Sequence, residues 1–167
     1  MVFMTGKALG GGNARTYMPV LPGLPVRGPD LAFQCRRLSW FGRWRWGVTH
    51  DYRVYVGIFG KPWVDDWYSL SEDGWLTLRR GFRWDGATGG LDTATIRRGS
   101  AVHDALCRMM AIGVLPRSMW WGKCGAIFRR INEEDGMCSV RAWWTYRAVV
   151  LWGRVKGYRD TMAYYDE

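Results

Sequence analysis

The sequence predicts an α+β protein, with a small antiparallel β-rich N-terminal half packed against three C-terminal α-helices. Three observations carry this prediction. Residues 31–82 show period-two alternation and turn signals, residues 94–153 show apolar spacings of three and four, and a glycine-rich loop over 83–93 separates the two patterns. The chain of 167 residues is long enough for a hydrophobic core, and we expect a single domain over 31–157.

The two ends of the chain are predicted to lie outside this domain. Residues 1–30 carry a run of glycines and four prolines, which oppose regular structure, so we expect an extended arm. Residues 158–167 are polar and aromatic, and we expect a frayed tail. We expect neither a secretory signal nor a transmembrane segment, because no stretch has the required apolar length.

The β-rich half is predicted from alternation between residues 48 and 58. The positions expected on its buried face are Val48, His50, Tyr52, Val54, Val56 and Ile58. His50 is thereby interpreted as a half-buried strand histidine. The Asp73-Gly74 turn between apolar runs at 67–70 and 75–79 predicts a β-hairpin.

Three helices follow from the apolar spacing and the capping signals. We expect a first helix over 94–111, a second from Pro116 to Asp135, and a third from a Ser139 cap to Gly153. The inner faces expected are Ile96, Gly99, His103, Leu106 and Met110 on the first, Trp120, Cys124, Ile127 and Ile131 on the second, and Val140, Trp144, Ala148 and Leu151 on the third.

The four cysteines are widely spaced, with no C-x-x-C pair, at Cys35, Cys107, Cys124 and Cys138. This spacing argues against a disulfide scaffold and against structural zinc. We interpret the cysteines as reduced thiols, as expected in a cytoplasmic protein.

The chain is basic and rich in tryptophan, with a net charge of +9 and 12 Trp. The clearest cluster interleaves cations with rings, at Arg37, Trp40, Arg43, Trp44, Arg45 and Trp46. Such a binding surface suits single-stranded nucleic acid or an anionic membrane face. A solvated surface of cation–π pairs is equally compatible with the pattern, and these alternatives stay open.

The candidate chemistry centres on His103 and Asp104 in the first helix. His103 falls on the apolar stripe, whereas Asp104 lies about 100° around the helix, so the two side chains cannot pair. We expect Asp85 and Asp92, from the preceding loop, to point towards the helix, and His103 to lie within hydrogen-bond reach of a carboxylate. His103 and Asp85 would be the ligands of a divalent metal. The alternative is a structural hydrogen-bond network.

Residues 81 to about 153 resemble a bacteriophage and prophage family catalogued as domain of unknown function 1353. The matching motifs are Gly81-Phe-Arg-Trp-Asp-Gly-Ala-Thr88, Ser100-Ala-Val-His-Asp-Ala-Leu-Cys107 and Gly125-Ala-Ile-Phe128. The chain departs from the family pattern at Cys107, where the family has tyrosine, and at Gly125, where it has an acidic residue. The resemblance implies a phage context and no established reaction.

Two classes of function follow. The first is a phage or prophage protein with a hydrolase-like site at His103, Asp104, Asp85 and Asp92, with or without a metal, that acts on a host component. The second is a non-enzymatic virion, assembly or host-interaction protein, docking on a phage or host protein through its basic aromatic surface.

Overall fold

The computed structural model describes residues 7–8, 33–40, 44–86 and 92–155, and it confirms the α+β class. Within these residues, eight strands precede three helices. The strands are β1 (Lys7–Ala8), β2 (Cys35–Arg37), β3 (Trp46–Val48), β4 (Tyr52–Tyr55), β5 (Trp63–Val64), β6 (Tyr68–Leu70), β7 (Trp75–Leu78) and β8 (Arg83–Trp84). The helices are α1 (Ala94–Ala111), α2 (Arg117–Glu134) and α3 (Ser139–Val155).

The strands form two sheets. The larger has the order β1-β5-β6-β7-β4, with each neighbouring pair antiparallel, and the smaller has the order β2-β3-β8. The predicted hairpin is confirmed as β6 and β7, joined by a turn in which Gly74 adopts a φ of +89°. A side chain at Gly74 would also crowd the backbone of Gly57 at 3.2 Å, so the turn needs glycine for two reasons.

The described residues group into two compact units. Residues 7–8, 33–38 and 46–83 belong to the first, and residues 39–40, 44–45 and 84–155 belong to the second. Fully buried residues of the first unit include Val54, Val56, Ile58, Leu76 and Leu78, and those of the second include Trp84, Leu106, Trp120, Ile127 and Ile131.

The predicted alternation is correct at its apolar positions and wrong at His50. The five apolar residues of that face are buried, whereas His50 is exposed. The reason is that the chain bends at Thr49 and His50, between β3 and β4, so one strand does not continue through this point. The arm prediction is also wrong at Lys7 and Ala8, which pair with β5. The rest of that arm, residues 41–43, residues 87–91 of the loop and the tail lie outside the described residues.

The helix bounds agree with the prediction to within two residues, and the inner faces of α1 and α2 are as expected apart from the half-buried His103. The inner face predicted for α3 is wrong. Val140, Trp144 and Leu151 are 71%, 63% and 62% exposed, and Ala148 is exposed as well. The residues that turn inward are instead Ala142, Thr145, Tyr146, Val149 and Val150.

Two glycines explain which face of α3 packs on α2. A Cβ atom at Gly125 of α2 would lie 2.8 Å from Val150 Cγ2, and one at Gly153 of α3 would lie 1.7 Å from the Trp121 ring. The Trp121 indole N–H also donates to the carbonyl of Val150 at 3.1 Å. Because these contacts need hydrogen in place of a side chain, the glycines select the approach of the two helices.

No helix in the described part of the chain is long and apolar enough to cross a membrane.

Candidate acid–base site

The second unit contains a pair of adjacent carboxyl groups. Asp85 follows β8 directly, Asp104 lies in the middle of α1, and their carboxyl groups lie within hydrogen-bond reach of each other. Both residues are half-buried. Two of the four predicted catalytic residues are therefore brought together, although they are nineteen positions apart in the chain.

The backbone of Asp85 is held in place by its neighbours. The Trp84 side chain is fully buried, and its indole N–H donates to the hydroxyl of Ser100 on α1 at 3.0 Å. Arg45 donates its backbone N–H to the carbonyl of Trp84 at 3.1 Å and its Nε–H to the carbonyl of Asp85. Gly86 follows with a φ of +80°, a backbone conformation that favours glycine. These contacts hold Asp85 against α1.

Burial raises the pKa values of both carboxyl groups. The pKa of Asp104 lies well above its usual value because of burial first, and then because of the negative charge of Asp85. Burial also raises the pKa of Asp85, while the hydrogen bond from Asp104 and the charge of Arg45 oppose this rise. The causes of these shifts make Asp104 the carboxyl group that keeps its proton to higher pH and Asp85 the one that ionises first.

Two arginines place positive charge beside the pair. Arg45 and Arg108 both favour the ionised form of Asp85, and Arg108 does so for Asp104 as well. The Arg108 guanidinium also lies over the Trp44 ring, 5.1 Å from its centroid. The surroundings therefore stabilise one negative charge on the pair, and the repulsion between the carboxylates disfavours a second.

His103 lies on a different side of α1. Its ring contacts Trp121 and Phe128, with centroid distances of 6.1 Å and 5.5 Å, and its nitrogens lie 3.7 and 3.8 Å from the Cys107 sulfur. Burial lowers the pKa of His103 to about 4, so the ring is neutral at pH 7. Among the described residues, no carboxylate lies within hydrogen-bond reach of this ring. The geometry predicted for His103 is therefore not found there.

The remaining predicted residue, Asp92, lies at the start of α1. It precedes the first helical residue, Ala94, by two positions, whereas Asp104 is about 15 Å further along the helix axis. Asp92 is therefore placed at the helix start, away from the turn that carries the carboxyl pair.

The described residues hold no cluster of three or more His, Cys, Asp or Glu side chains that could bind a metal ion. The two proposed ligands also have separate surroundings. Burial alone shifts the pKa of His103, with no contribution from Asp85, whose own pKa responds to Asp104 and Arg45. The candidate chemistry of the described residues is therefore acid–base chemistry by the carboxyl pair, which needs no metal ion.

Cys107 stands where the resembling family has tyrosine. It is half-buried, and burial together with the charge of Asp104 raises the pKa of its thiol well above the usual value. Cys124 is fully buried, and burial raises its pKa to about 12. Both thiols stay protonated at neutral pH and are poor nucleophiles. The four cysteines are free, as expected.

The residues of the predicted binding surface do not form one exposed surface, because they have different surroundings in the structure. Trp46 is buried, with the Arg37 guanidinium 4.4 Å from its ring centroid, and Arg45 holds the Asp85 backbone. Trp44 stacks with Arg108, whereas Trp40 is 73% exposed. Arg43 lies outside the described residues.

The sequence pattern did not indicate that Arg45 and Arg108 place positive charge beside the carboxyl pair. Arg45 belongs to a segment in which alternating arginine and tryptophan favoured an exposed surface. Arg108 was available as a signal, because it lies four residues after Asp104 and therefore on the same side of the helix.

Comparisons of the chain with family models, with curated proteins and with solved structures found no match. The geometry of the carboxyl pair is therefore the structural ground for a function.

Proposed function

We propose that this chain is a phage or prophage protein with a hydrolase-like site, in which Asp85 and Asp104 act as an acid–base pair on a host component. The observation that carries the proposal is that the two half-buried carboxyl groups lie within hydrogen-bond reach of each other. Hydrogen-bonded aspartates that share one proton are a known means of activating water for hydrolysis at moderate pH.

The two groups have complementary parts in this proposal. The Asp85 carboxylate takes a proton from water as the water oxygen forms a bond to the electrophilic atom of the substrate. Asp104 gives its proton to the leaving group as the bond to that group breaks. A proton then passes from Asp85 to Asp104 along their hydrogen bond, which restores the starting state.

Arg45 supports this cycle through position and charge. Its contacts with the carbonyls of Trp84 and Asp85 hold the acceptor carboxylate against α1, and its charge favours ionised Asp85. His103 has no part in the proposed cycle, because its ring faces Trp121, Phe128 and Cys107. The site therefore differs from the histidine-centred one that the sequence predicts.

Hydrolysis assays of Asp85→Asn and Asp104→Asn test the proposal. Purified wild-type protein is incubated with casein, bacterial peptidoglycan, p-nitrophenyl acetate and bis(p-nitrophenyl) phosphate, which cover amide, glycosidic, ester and phosphodiester bonds. Whichever probe is hydrolysed, each substitution should lower the rate by about 10²- to 10⁴-fold, as expected for the loss of an acid or base. Asp66→Asn, at an exposed aspartate of the first unit, is the matched control and should retain the wild-type rate.

Two results would contradict the proposal. One is a wild-type protein that hydrolyses none of the four probes, and the other is a rate unchanged by Asp104→Asn. A third variant, His103→Phe, separates the two site hypotheses, because the carboxyl-pair site keeps its activity and a histidine-centred site loses it. The infrared band of a protonated carboxyl at neutral pH should also disappear in Asp104→Asn.

A non-enzymatic docking function is the second candidate. The exposed tryptophans favour it, since Trp40, Trp144 and Trp152 are 73%, 63% and 50% exposed. A docking protein requires no turnover, so a folded, inactive chain whose partner binding depends on these rings would support this second candidate.

A further inference from the structure

The solvent side of α3 is apolar and aromatic over nearly its whole length. This outer face comprises Val140, Trp143, Trp144, Arg147, Ala148, Leu151 and Trp152, all exposed. Four of the large side chains, Val140, Trp144, Leu151 and Trp152, are at least half exposed. From Val140 to Trp152 the face extends about 18 Å along the helix. Solitary exposed apolar residues are ordinary, but a continuous face of this kind is typical of a binding surface.

The sequence of α3 and of the residues that follow it carries positive charge only, as far as Arg159. The sequence holds no Asp or Glu between Asp135 and Asp160, a stretch that carries Arg141, Arg147, Arg154, Lys156 and Arg159. Arg147 lies on the outer face itself, with its guanidinium 5.6 Å from the Trp143 ring centroid. An occupant that complements this charge is anionic.

The side chains distinguish between anionic occupants. Indole rings prefer the boundary between lipid headgroups and acyl chains, and aliphatic side chains partition below it. The bases of single-stranded nucleic acid would stack on the rings but would make no favourable contact with the aliphatic side chains between them, Val140, Ala148 and Leu151. A second copy of α3 would bring Arg147 towards like charges, because this helix has no acidic side chain.

We propose that the outer face of α3 binds an anionic phospholipid surface, with the helix axis parallel to the membrane plane. The tryptophans and Leu151 enter the interface, and Arg147 contacts the lipid phosphates while its aliphatic stem stays near the Trp143 ring. The proposal is independent of the carboxyl pair and requires no hydrolytic activity.

Vesicle flotation with the full-length protein tests this proposal. The protein should float with vesicles made of equal parts phosphatidylglycerol and phosphatidylcholine and remain behind with phosphatidylcholine alone. Binding should weaken as salt is added, because screening reduces attraction to the anionic lipids. The tryptophan emission should shift to shorter wavelength on binding, as the rings leave water.

Matched variants connect the binding to the outer face. The double variant Trp144→Ser/Leu151→Ser should reduce the vesicle partition coefficient by at least about tenfold, given the apolar area that it removes. Met119→Ser removes a 43% exposed side chain from α2 and should bind as wild type does. Far-ultraviolet circular dichroism confirms that each variant is folded before binding is compared.

Four outcomes would overturn the proposal. The first two are no flotation with the anionic vesicles, and flotation that the double variant does not weaken. The third is that the protein does not bind vesicles but binds an oligothymidine strand, and that this binding depends on Trp144 and Leu151. The fourth is concentration-dependent dimerisation, measured by sedimentation velocity, that the double variant abolishes while vesicles stay unbound.

Discussion

α1 and α3 both pack against α2, but α1 is engaged on two sides and α3 on one. α1 meets α2 at Gly99 and His103, and on another side it holds the indole of Trp84 through Ser100 and the carboxyl of Asp85 through Asp104. α3 contacts α2 through its inner residues and leaves its outer face exposed. Both helices are rich in apolar residues, so apolar content does not distinguish a doubly engaged helix from one with a face left for a partner.

The two helix interfaces also differ in what holds them. Between α1 and α2, Arg98 bridges Glu134 and Asp135 at 2.9 and 3.0 Å, and the His103 ring lies against Phe128. Between α2 and α3, glycine opposite a large side chain sets the approach. Close approach at a glycine tolerates added volume poorly, and it occurs at both interfaces, since a Cβ atom at Gly99 of α1 would also crowd Asn132 and Phe128 of α2. The α1–α2 interface differs because it is sensitive to charge as well.

Gly125→Asp should give the largest loss of stability. It introduces an acidic side chain at a point where a Cβ atom would lie 2.8 Å from Val150 and 3.0 Å from Tyr146. Overpacking and the burial of an unpaired carboxylate together should lower the free energy of unfolding by more than about 3 kcal/mol, measured by urea denaturation.

The control for that variant lies one turn earlier on α2. Gly122 is exposed, and no atom lies within 4 Å of a Cβ built there, so Gly122→Asp should change the free energy of unfolding by about 0.5 kcal/mol or less. Equal effects of the two substitutions would show that the α2–α3 contact is not as close as described. The close packing against Val150 and Tyr146 would thus explain the glycine at position 125.

A pH-dependent loss of stability should arise at the α1–α2 interface. His103 has a pKa of about 4 in the folded protein and 6.5 in the unfolded chain, so the unfolded state takes up a proton first as the pH falls. Folding stability is therefore full above pH 6.5 and is lost between 6.5 and 4, by roughly 2–3 kcal/mol. His103→Phe should remove this loss, as seen in urea denaturation at several pH values.

Two comparisons sharpen the assignment to His103. His50→Phe, at the exposed bend before β4, should keep the wild-type acid sensitivity because His103 is intact. Asp104 should have the opposite effect, because a carboxyl group whose pKa is raised in the folded protein stabilises the fold increasingly as the pH falls towards the pKa of the unfolded chain. Asp104→Asn should therefore remove a gain in the free energy of unfolding on acidification and leave the loss caused by His103 in place. Acid sensitivity that persists in His103→Phe would show that other groups cause it.

The sequence predicts most of the helical half and part of the site. The bounds of α1 follow from Thr93, Gly113 and the spacing between them, because local signals and the tertiary fold agree there. The proximity of Asp85 to α1 follows from a short glycine-containing loop. The residue of α1 that lies beside Asp85 was harder to predict. Whether Asp104 or His103 faces Asp85 depends on the rotation of α1 about its own axis relative to α2. That rotation is set by contacts such as Gly99 with Phe128 and Asn132.

The face of α3 could not be predicted because its apolar residues surround the helix. Spacing selected Val140, Trp144, Ala148 and Leu151, which share a side at intervals of four, four and three, but Ala142, Val149 and Val150 form a second apolar side of the same helix. What decides between them is the fit of Gly125 and Gly153 against side chains of the neighbouring helix. Such a fit depends on shape at a distance in sequence, which periodicity does not record.

Substitutions on the two faces of α3 should produce the smallest but most direct contrast. Val149 packs against the buried cluster of Ile96, Phe128, Met137 and Ala142, so Val149→Ser should lower the free energy of unfolding by about 1–2 kcal/mol. Leu151 is 62% exposed, and Leu151→Ser should change it by about 0.5 kcal/mol or less. Urea denaturation measures both. Leu151 is the larger residue, so side-chain size alone predicts a greater loss of stability for Leu151→Ser than for Val149→Ser. If that result were observed, the outer face of α3 would have to be covered within the folded chain.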